Sequence, residues 1–350
     1  MKLTVSFLFS LFFLIQAPHC QNKKYKIRTI SFYNVENLFD TIDNPETFDD
    51  ERTPSGKYQY NSKIYRDKLY RIASVISEIG KEKTNTSPAI IGLAEIENQE
   101  VLKDLINTEF LKNKSYQYIH YDSKDLRGID VALLYQEKYF SPIAHEIFEL
   151  RLWDEKGMRL YTRDILKVSG YLDDELVHII INHWPSRRGG VQRSAVKREK
   201  AAWLCNEIIQ TIKEEENNPK IVVMGDFNDD PMDNSFKEIL RSKSHKNSLK
   251  PNELFNPMEE MYKKGLNTLG YRDNLNLFDQ ILVSASLITN EKDFKNFNLF
   301  QAQIFNPNYL ITQSGRYKGY PFRSYSGTNY SGGYSDHFPV YIYLIKEVIE

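Results

Sequence analysis

Several polar residues stand where an apolar run stops, and their types suit acid–base and metal chemistry. Asn34 and Glu36 follow the run Ile27–Tyr33, Glu95 follows Ile90–Ala94, and His183 follows Val177–Asn182. Asp226 and Asn228 follow Ile221–Gly225, while Asp336 and His337 come just before Phe338–Leu344. Asp130 and Asp279 lie within the runs Ile129–Tyr135 and Leu277–Val283. Taken singly, each has an ordinary explanation. A carboxylate after a strand caps a helix or forms a turn, and Asp226-Phe227-Asn228-Asp229-Asp230-Pro231 reads equally as an Asx-rich turn. His178, two residues before His183, reads as a hydrogen-bonded strand histidine. Taken together they repel. A like-charge pair at about 4 Å costs about 4 kcal/mol at an effective dielectric of 20. A bound cation relieves that cost, and oxygen donors without cysteine point to Mg²⁺, Mn²⁺ or Ca²⁺ rather than zinc. A hard cation beside two histidines suits phosphoryl chemistry, with the histidines moving protons near neutral pH.

The elements that must position these groups alternate. Strands are expected at Ile27–Tyr33, Ala89–Ala94, Ile129–Tyr135, Val177–Asn182, Ile221–Met224, Phe278–Val283 and Pro339–Leu344, and helices at Tyr65–Ile79, Val101–Leu111 and Lys197–Ile212. That alternation is α/β, and open α/β sheets gather sites at strand ends. Two long connections stand out. Asp40–Ser62 is acidic and reads as a solvated loop, with a calcium site as the alternative. Arg316–Tyr334 mixes Arg316, Lys318 and Arg323 with tyrosines and runs into Asp336. It reads as a substrate contact, or as a loop that packs its rings on the core.

The strings FYNVEN (Phe32–Asn37), GLAEIEN (Gly92–Asn98), GDFND (Gly225–Asp229), FDQILVS (Phe278–Ser284) and SDHFPV (Ser335–Val340) resemble, in order, the motifs of the endonuclease/exonuclease/phosphatase superfamily, and specifically its deoxyribonuclease-I-like branch. The resemblance implies a four-layer α/β sandwich: two packed mixed sheets flanked by helices. It implies that Glu95, Glu36, Asn34 and Asp336 hold or position the metal, with Glu36 standing where many members have Asp or Asn. Asp226 and Asn228 contact nucleophile and phosphate, Asp279 orients His337, and Asp130 orients His183. On this reading His337 is the base and His183 the acid. The cations after His183 (Arg187, Arg188, Arg193, Lys197, Arg198) read either as phosphate contacts, Arg187 and Arg193 foremost, or as a solvated helix start.

A net charge of −1 over 350 residues gives no global attraction for polyanions, so a nucleic-acid grip requires a local basic patch. Lys2, the apolar run Val5–Ile15 and the polar stretch after it read as a secretion signal, here residues 1–20, with one catalytic domain over residues 21–350. Export to the periplasm or medium is expected, with lipidation at Cys20 as the less favoured alternative. Cys205 reads as a buried thiol in a helix. The expected activity is a secreted, Mg²⁺-dependent endonuclease acting on DNA or RNA, monomeric and without a stable protein partner or membrane anchor. The alternative is a phosphoesterase of the same fold acting on sphingomyelin-like lipids or inositol phosphates.

Overall fold

A computed structural model describes residues 23–288 and 294–348. The expected secretion signal and Cys20 lie outside the described residues. The strands of the two large sheets are numbered here in chain order. One sheet contains β1 (Tyr25–Leu38), β2 (Ile90–Ile96), β3 (Tyr116–His120) and β4 (Asp130–Gln136). Then β5 (Phe140–Phe148), β6 (Ile165–Leu172), β7 (Glu175–His183), β8 (Ile221–Asp226), β9 (Leu254–Phe255) and β10 (Asp279–Ser284) build the other. Finally β11 (Asn298–Ile304) and β12 (Val340–Glu347) return to the first. The orders are β11-β12-β1-β2-β4-β3 and β9-β10-β8-β7-β6-β5.

Strand alternation explains the layers. In β1, Ile30 and Phe32 face the space between the sheets, where they meet Val168, Ile179, Ile181, Val222 and Met224 from the second sheet. Tyr33 and Val35, of the opposite parity, face outward, onto Leu69, Ile72, Val75 and Ile76 of the helix Ser62–Glu78. On the far side Ile180, Val223 and Leu282 pack on Ala201, Cys205, Ile208 and Ile212 of the helix Val191–Glu215. The strands read from sequence as continuous apolar runs are thus covered on both faces, which yields helix, sheet, sheet, helix. Cys205 is fully buried, and burial pushes its thiol up to about 12. No described helix is long and apolar enough to cross a membrane.

Each sheet has one parallel pair near its centre: β1 with β2, and β7 with β8. The two pairs end at the same edge of the sandwich. That edge collects most of the chemistry-bearing residues.

Candidate active site

Register alone aligns three of the groups. Along the second sheet His183 of β7 lies opposite Asp226 of β8, and Asp226 lies opposite Asp279 of β10. Gly225 must be glycine, because a Cβ there would lie 2.3 Å from the Asn182 carbonyl oxygen on the neighbouring strand. The chain then turns at Asn228, a non-glycine residue in left-handed conformation (φ 51°), whose N–H donates to Asp226 Oδ1 at 3.0 Å.

In the first sheet the strands must break pairing to aim their side chains. The ladder between β1 and β2 slips between Asn34 and Leu38, and that between β2 and β4 slips between Ala94 and Ile96. Within these bulges Glu36, Asn37 and Glu95 have φ of 52°, 54° and 66°. Left-handed backbone at a non-glycine residue costs about 1–3 kcal/mol and persists where the surroundings impose it. Here Asn37 N–H donates to Glu95 Oε2 at 2.8 Å, and Glu36 N–H donates to Asn34 Oδ1 at 3.0 Å. The Asn34 amide in turn donates to Asp226 Oδ2 at 3.1 Å, joining the two sheets. Ser335 fastens the last strand to the first: its hydroxyl donates to Asn34 O at 2.7 Å and accepts from His337 N–H at 3.1 Å.

The two site histidines differ sharply. His337 Nδ1 lies 2.7 Å from Asp279 Oδ2, and its Nε2 is 3.9 Å from both Asp226 Oδ2 and Asp336 Oδ1. Burial opposes its charge, but Asp279, Asp226 and Asp336 outweigh burial and hold its pKa well above the ordinary value. His183 Nε2 lies 3.5 Å from Asp226 Oδ2 and 4.0 Å from Glu95 Oε1, while its buried Nδ1 has no hydrogen-bond partner. Burial, then the charges of Arg163, Arg127 and His337, push its pKa well below the ordinary value. Burial also raises Asp226 to about 6, with His337 opposing and Asp279 reinforcing the shift. Burial and neighbouring charge thus favour the charged form of His337 and the neutral form of His183, the opposite sense to the expected order of base and acid.

Several expectations change. Asp130 does not hold His183: its Oδ1 accepts Ser123 N–H at 2.8 Å and its Oδ2 is 3.3 Å from His120 Nε2. It sits on β4, past the slipped ladder, and points to another histidine. Glu36 is not set toward a shared cation with Glu95. Ser324 N–H donates to its Oε2 at 2.7 Å, and Arg323 Nε lies 3.6 Å from its Oε1. Burial and Asp336 raise Glu36 to about 7, against Lys68 and Arg323. Asn34 has its amide engaged at both atoms, so it positions Asp226. Arg187 is taken by the turn after β8, donating to Asn228 O at 2.8 Å and to Asp233 Oδ2 at 2.7 Å, with its guanidinium 4.4 Å from the Phe278 ring centroid. Arg198 is buried and pairs with Asp229. Neither is placed to bind a phosphate. Arg193 is exposed and pairs with Glu155 at 3.0 Å. In the loop before Asp336, Tyr325 packs onto Tyr58 and Tyr60 of the body and Tyr330 packs onto Tyr325, and Arg323 donates to Asp336 Oδ2 at 2.6 Å. In the acidic loop, Asp40 and Asp49 accept the Ile42 and Asn44 backbone N–H groups, the work of turn formers.

Sequence reasoning missed Lys68 and Arg163, and read Arg323 as a substrate contact rather than as the partner of Asp336 and Glu36. Lys68 lies on the apolar face of its helix, fully buried, and donates to Glu36 O and to Ser324 Oγ. A lysine between Ile64, Leu69 and Ile72 was the available signal. Arg163 is buried, with Nη1 3.0 Å from Asp125 Oδ2 and Nη2 donating to the Trp184 carbonyl, directly after His183.

The donor set fits a hard cation. Among the described residues Glu95 and Asp336 each have one oxygen that accepts no hydrogen bond, and Asp279 Oδ1 is buried with no partner. Asp226, Asp279 and His337 place one donor atom each within 4.8 Å of one another. His337 Nδ1 faces Asp279, so these three read as a proton-handling set, and Glu95 and Asp336 are the carboxylates that could hold a metal.

Comparison with known proteins bears on the fold and the family. A search of curated proteins finds no match. Among solved structures, a humanized D. rerio TDP2 matches with a TM-score of 0.53 and 13% identity, over 91% of this chain and 98% of that one. An endonuclease/exonuclease/phosphatase family protein from Bacteroides thetaiotaomicron matches at 0.52 and 18%, over 93% and 100%. The human Nocturnin catalytic domain with bound sulfate matches at 0.52 and 13%, over 93% and 97%. These likenesses establish the DNase-I-like sandwich. The Endonuclease/Exonuclease/phosphatase family matches residues 29–346, nearly the whole described chain, and the protein belongs to that family.

Proposed function

We propose that this protein is a divalent-metal-dependent phosphodiesterase that cleaves nucleic acid. The observation that carries the reading is the opposed pair of imidazoles sharing Asp226, one held cationic by Asp279 and one neutral. A cation on Glu95, with Asp336 nearby, would neutralise charge on the phosphate oxygens. His337 donates from Nε2 to a phosphoryl or leaving oxygen, and its Nδ1–H stays on Asp279. Asp226, ionised above about pH 6, accepts the proton of the attacking water, with neutral His183 beside it. Asn228 shapes this turn through its bonds to Asp226 and to the Trp184 carbonyl.

Nucleic acid is favoured by a basic cleft that opens beside His183, and by the D. rerio TDP2 structure complexed with single strand DNA product, which shares this fold at 13% identity. Magnesium is the cation we assign first, and a monomeric, exported enzyme the form, the latter on the sequence of residues 1–20. The test is a substrate panel with Mg²⁺ or Mn²⁺ and a chelator control: plasmid DNA, RNA, sphingomyelin vesicles and inositol phosphates. Metal-dependent cleavage of a polynucleotide supports the proposal. Release of phosphocholine or inorganic phosphate, with polynucleotides untouched, overturns the nuclease reading and keeps the phosphoesterase.

A further inference from the structure

A cleft of about 750 Å³ lies between the hairpin that follows β5 and the start of the helix Val191–Glu215. Buried Arg163 and Pro185, two residues after His183, are among its lining, so it runs close to the His183 strand end. Seven of its lining residues are Arg or Lys, against three carboxylates. Those carboxylates are largely engaged: Asp125 holds Arg163 and Arg127, Asp154 Oδ1 accepts the Lys156 and Met158 N–H groups of the hairpin turn, and Glu155 pairs with Arg193. Arg188, Lys197 and Lys200 line the same cleft and have no carboxylate partner among the described residues.

The hairpin carries an aromatic platform. Leu152–Trp153 pairs with Arg159–Leu160, and Asp154 N–H donates to Met158 O at 2.9 Å to close the turn. Across the pair, the Arg159 guanidinium lies 5.1 Å from the Trp153 ring centroid and 5.5 Å from that of Tyr161, and Glu149 fixes it at 2.8 Å. Trp153 is nevertheless 50% exposed and Tyr161 43% exposed, both in the cleft wall. Other rings are exposed as well, Trp203 and Phe48 among them, but Trp153 and Tyr161 stand in the wall of a cleft that also carries these seven cations.

We propose that this cleft is a subsite for an unpaired stretch of nucleic acid, with Trp153 as the stacking surface for a base and Arg188, Lys197 and Lys200 as its phosphate contacts. The proposal rests on the nuclease reading above. Bases stack on aromatic rings only when unpaired, and the combination of rings with a cationic groove is what single strands require. Clefts of about 300–1,000 Å³ hold one compact ligand, so this volume corresponds to roughly one or two nucleotides leading away from the scissile phosphate.

The experiment compares a labelled thymidine 12-mer, the same length of duplex, and bis(p-nitrophenyl) phosphate, which is too small to reach Trp153. For Trp153→Ala the ratio of kcat/KM on the single strand to that on the small diester should fall about tenfold, and Trp153→Phe should restore most of it. Lys200→Glu should raise KM for the 12-mer and lower the salt slope by roughly 0.7 for the lost contact. Fluorescence anisotropy of the labelled 12-mer in chelator should show the same loss of affinity without turnover. An unchanged ratio and unchanged affinity in Trp153→Ala, with the wild type still cutting the 12-mer, would overturn the subsite and leave the nuclease standing. A wild type that hydrolyses the small diester but neither binds nor cuts either polynucleotide would overturn both.

Discussion

The two sides of the active site hold the same side chain at nearly the same burial and give it opposite character. His337 and His183 are both almost fully buried, at 7% and 4% exposure, and Asp226 reaches toward each. On the His337 side a carboxylate sits on Nδ1 and two more lie near Nε2. On the His183 side two carboxylates, Asp226 and Glu95, likewise lie near Nε2, but the Nδ1 atom has no partner, and the charges that add to burial, Arg163, Arg127 and His337, are positive. Burial alone would neutralise both rings. The difference teaches that second neighbours decide which histidine carries the proton, and the site thereby separates an acid from a neutral ring with one residue type.

The largest break in this comparison comes from removing its charged half. His337→Ala, or Asp279→Asn with the ring left in place, should lower kcat by roughly 10²–10⁴-fold with a much smaller change in KM, read from steady-state cleavage of one oligonucleotide. A milder version sharpens it through pH. Asp226 accepts a proton only when ionised, and burial lifts its pKa to about 6, so kcat/KM should rise with unit slope below about pH 6 and level above it. The rate should fall again as His337 loses its proton above its raised pKa. Asp226→Asn should remove the acidic limb along with most of the rate. The scaffold of the turn after β8 is tested by Arg198→Met, which leaves the buried Asp229 carboxylate with only the Ser235 hydroxyl and the Arg187 guanidinium at 3.6 Å. Breaking a buried pair from one side costs about 3–5 kcal/mol, measurable as a lower urea midpoint. The smallest effect is expected at Asp130, which serves His120. Asp130→Asn should leave kcat within a factor of about three, because its carboxyl is out of hydrogen-bond reach of His183. A loss comparable with that of Asp279→Asn would instead return Asp130 to the catalytic set.

The same contrast shows what could be read from sequence. Strands buried on both faces declare themselves as apolar runs, so β2, β7, β8 and β12 were legible within a few residues. The edge strands β5 and β11 were not. Phe140–Phe148 carries Pro142 and faces mostly solvent, and Asn298–Ile304 is polar along half its length, so neither shows a period. At the site, residues tied to a strand end by backbone register were legible: His183, Asp226, Asp279 and His337 all meet at the sheet edge. Residues that arrive by long side chains from elsewhere were not. Lys68 reaches Glu36 from a helix and Arg323 from a loop; the lysine on an apolar helix face and the basic loop are visible in the sequence, but nothing local says that both meet Glu36. Asp130 misled for the converse reason: its position in a strand was right, but the slipped ladder at Glu95 altered what it faces. Arg187 misled because a guanidinium after a site histidine suits phosphate, whereas four-carboxylate turns such as Asp226–Asp233 need a cation of their own.

The central claim is that a metal-dependent phosphodiester cleavage runs through His337 on Asp279. The most direct measurement incubates supercoiled plasmid with the wild type and with His337→Ala, each in Mg²⁺ and in chelator. The account predicts nicking by the wild type in Mg²⁺ alone, and almost none from the variant under either condition. Nicking by His337→Ala at close to the wild-type rate, or a wild-type rate indifferent to chelator, would contradict it.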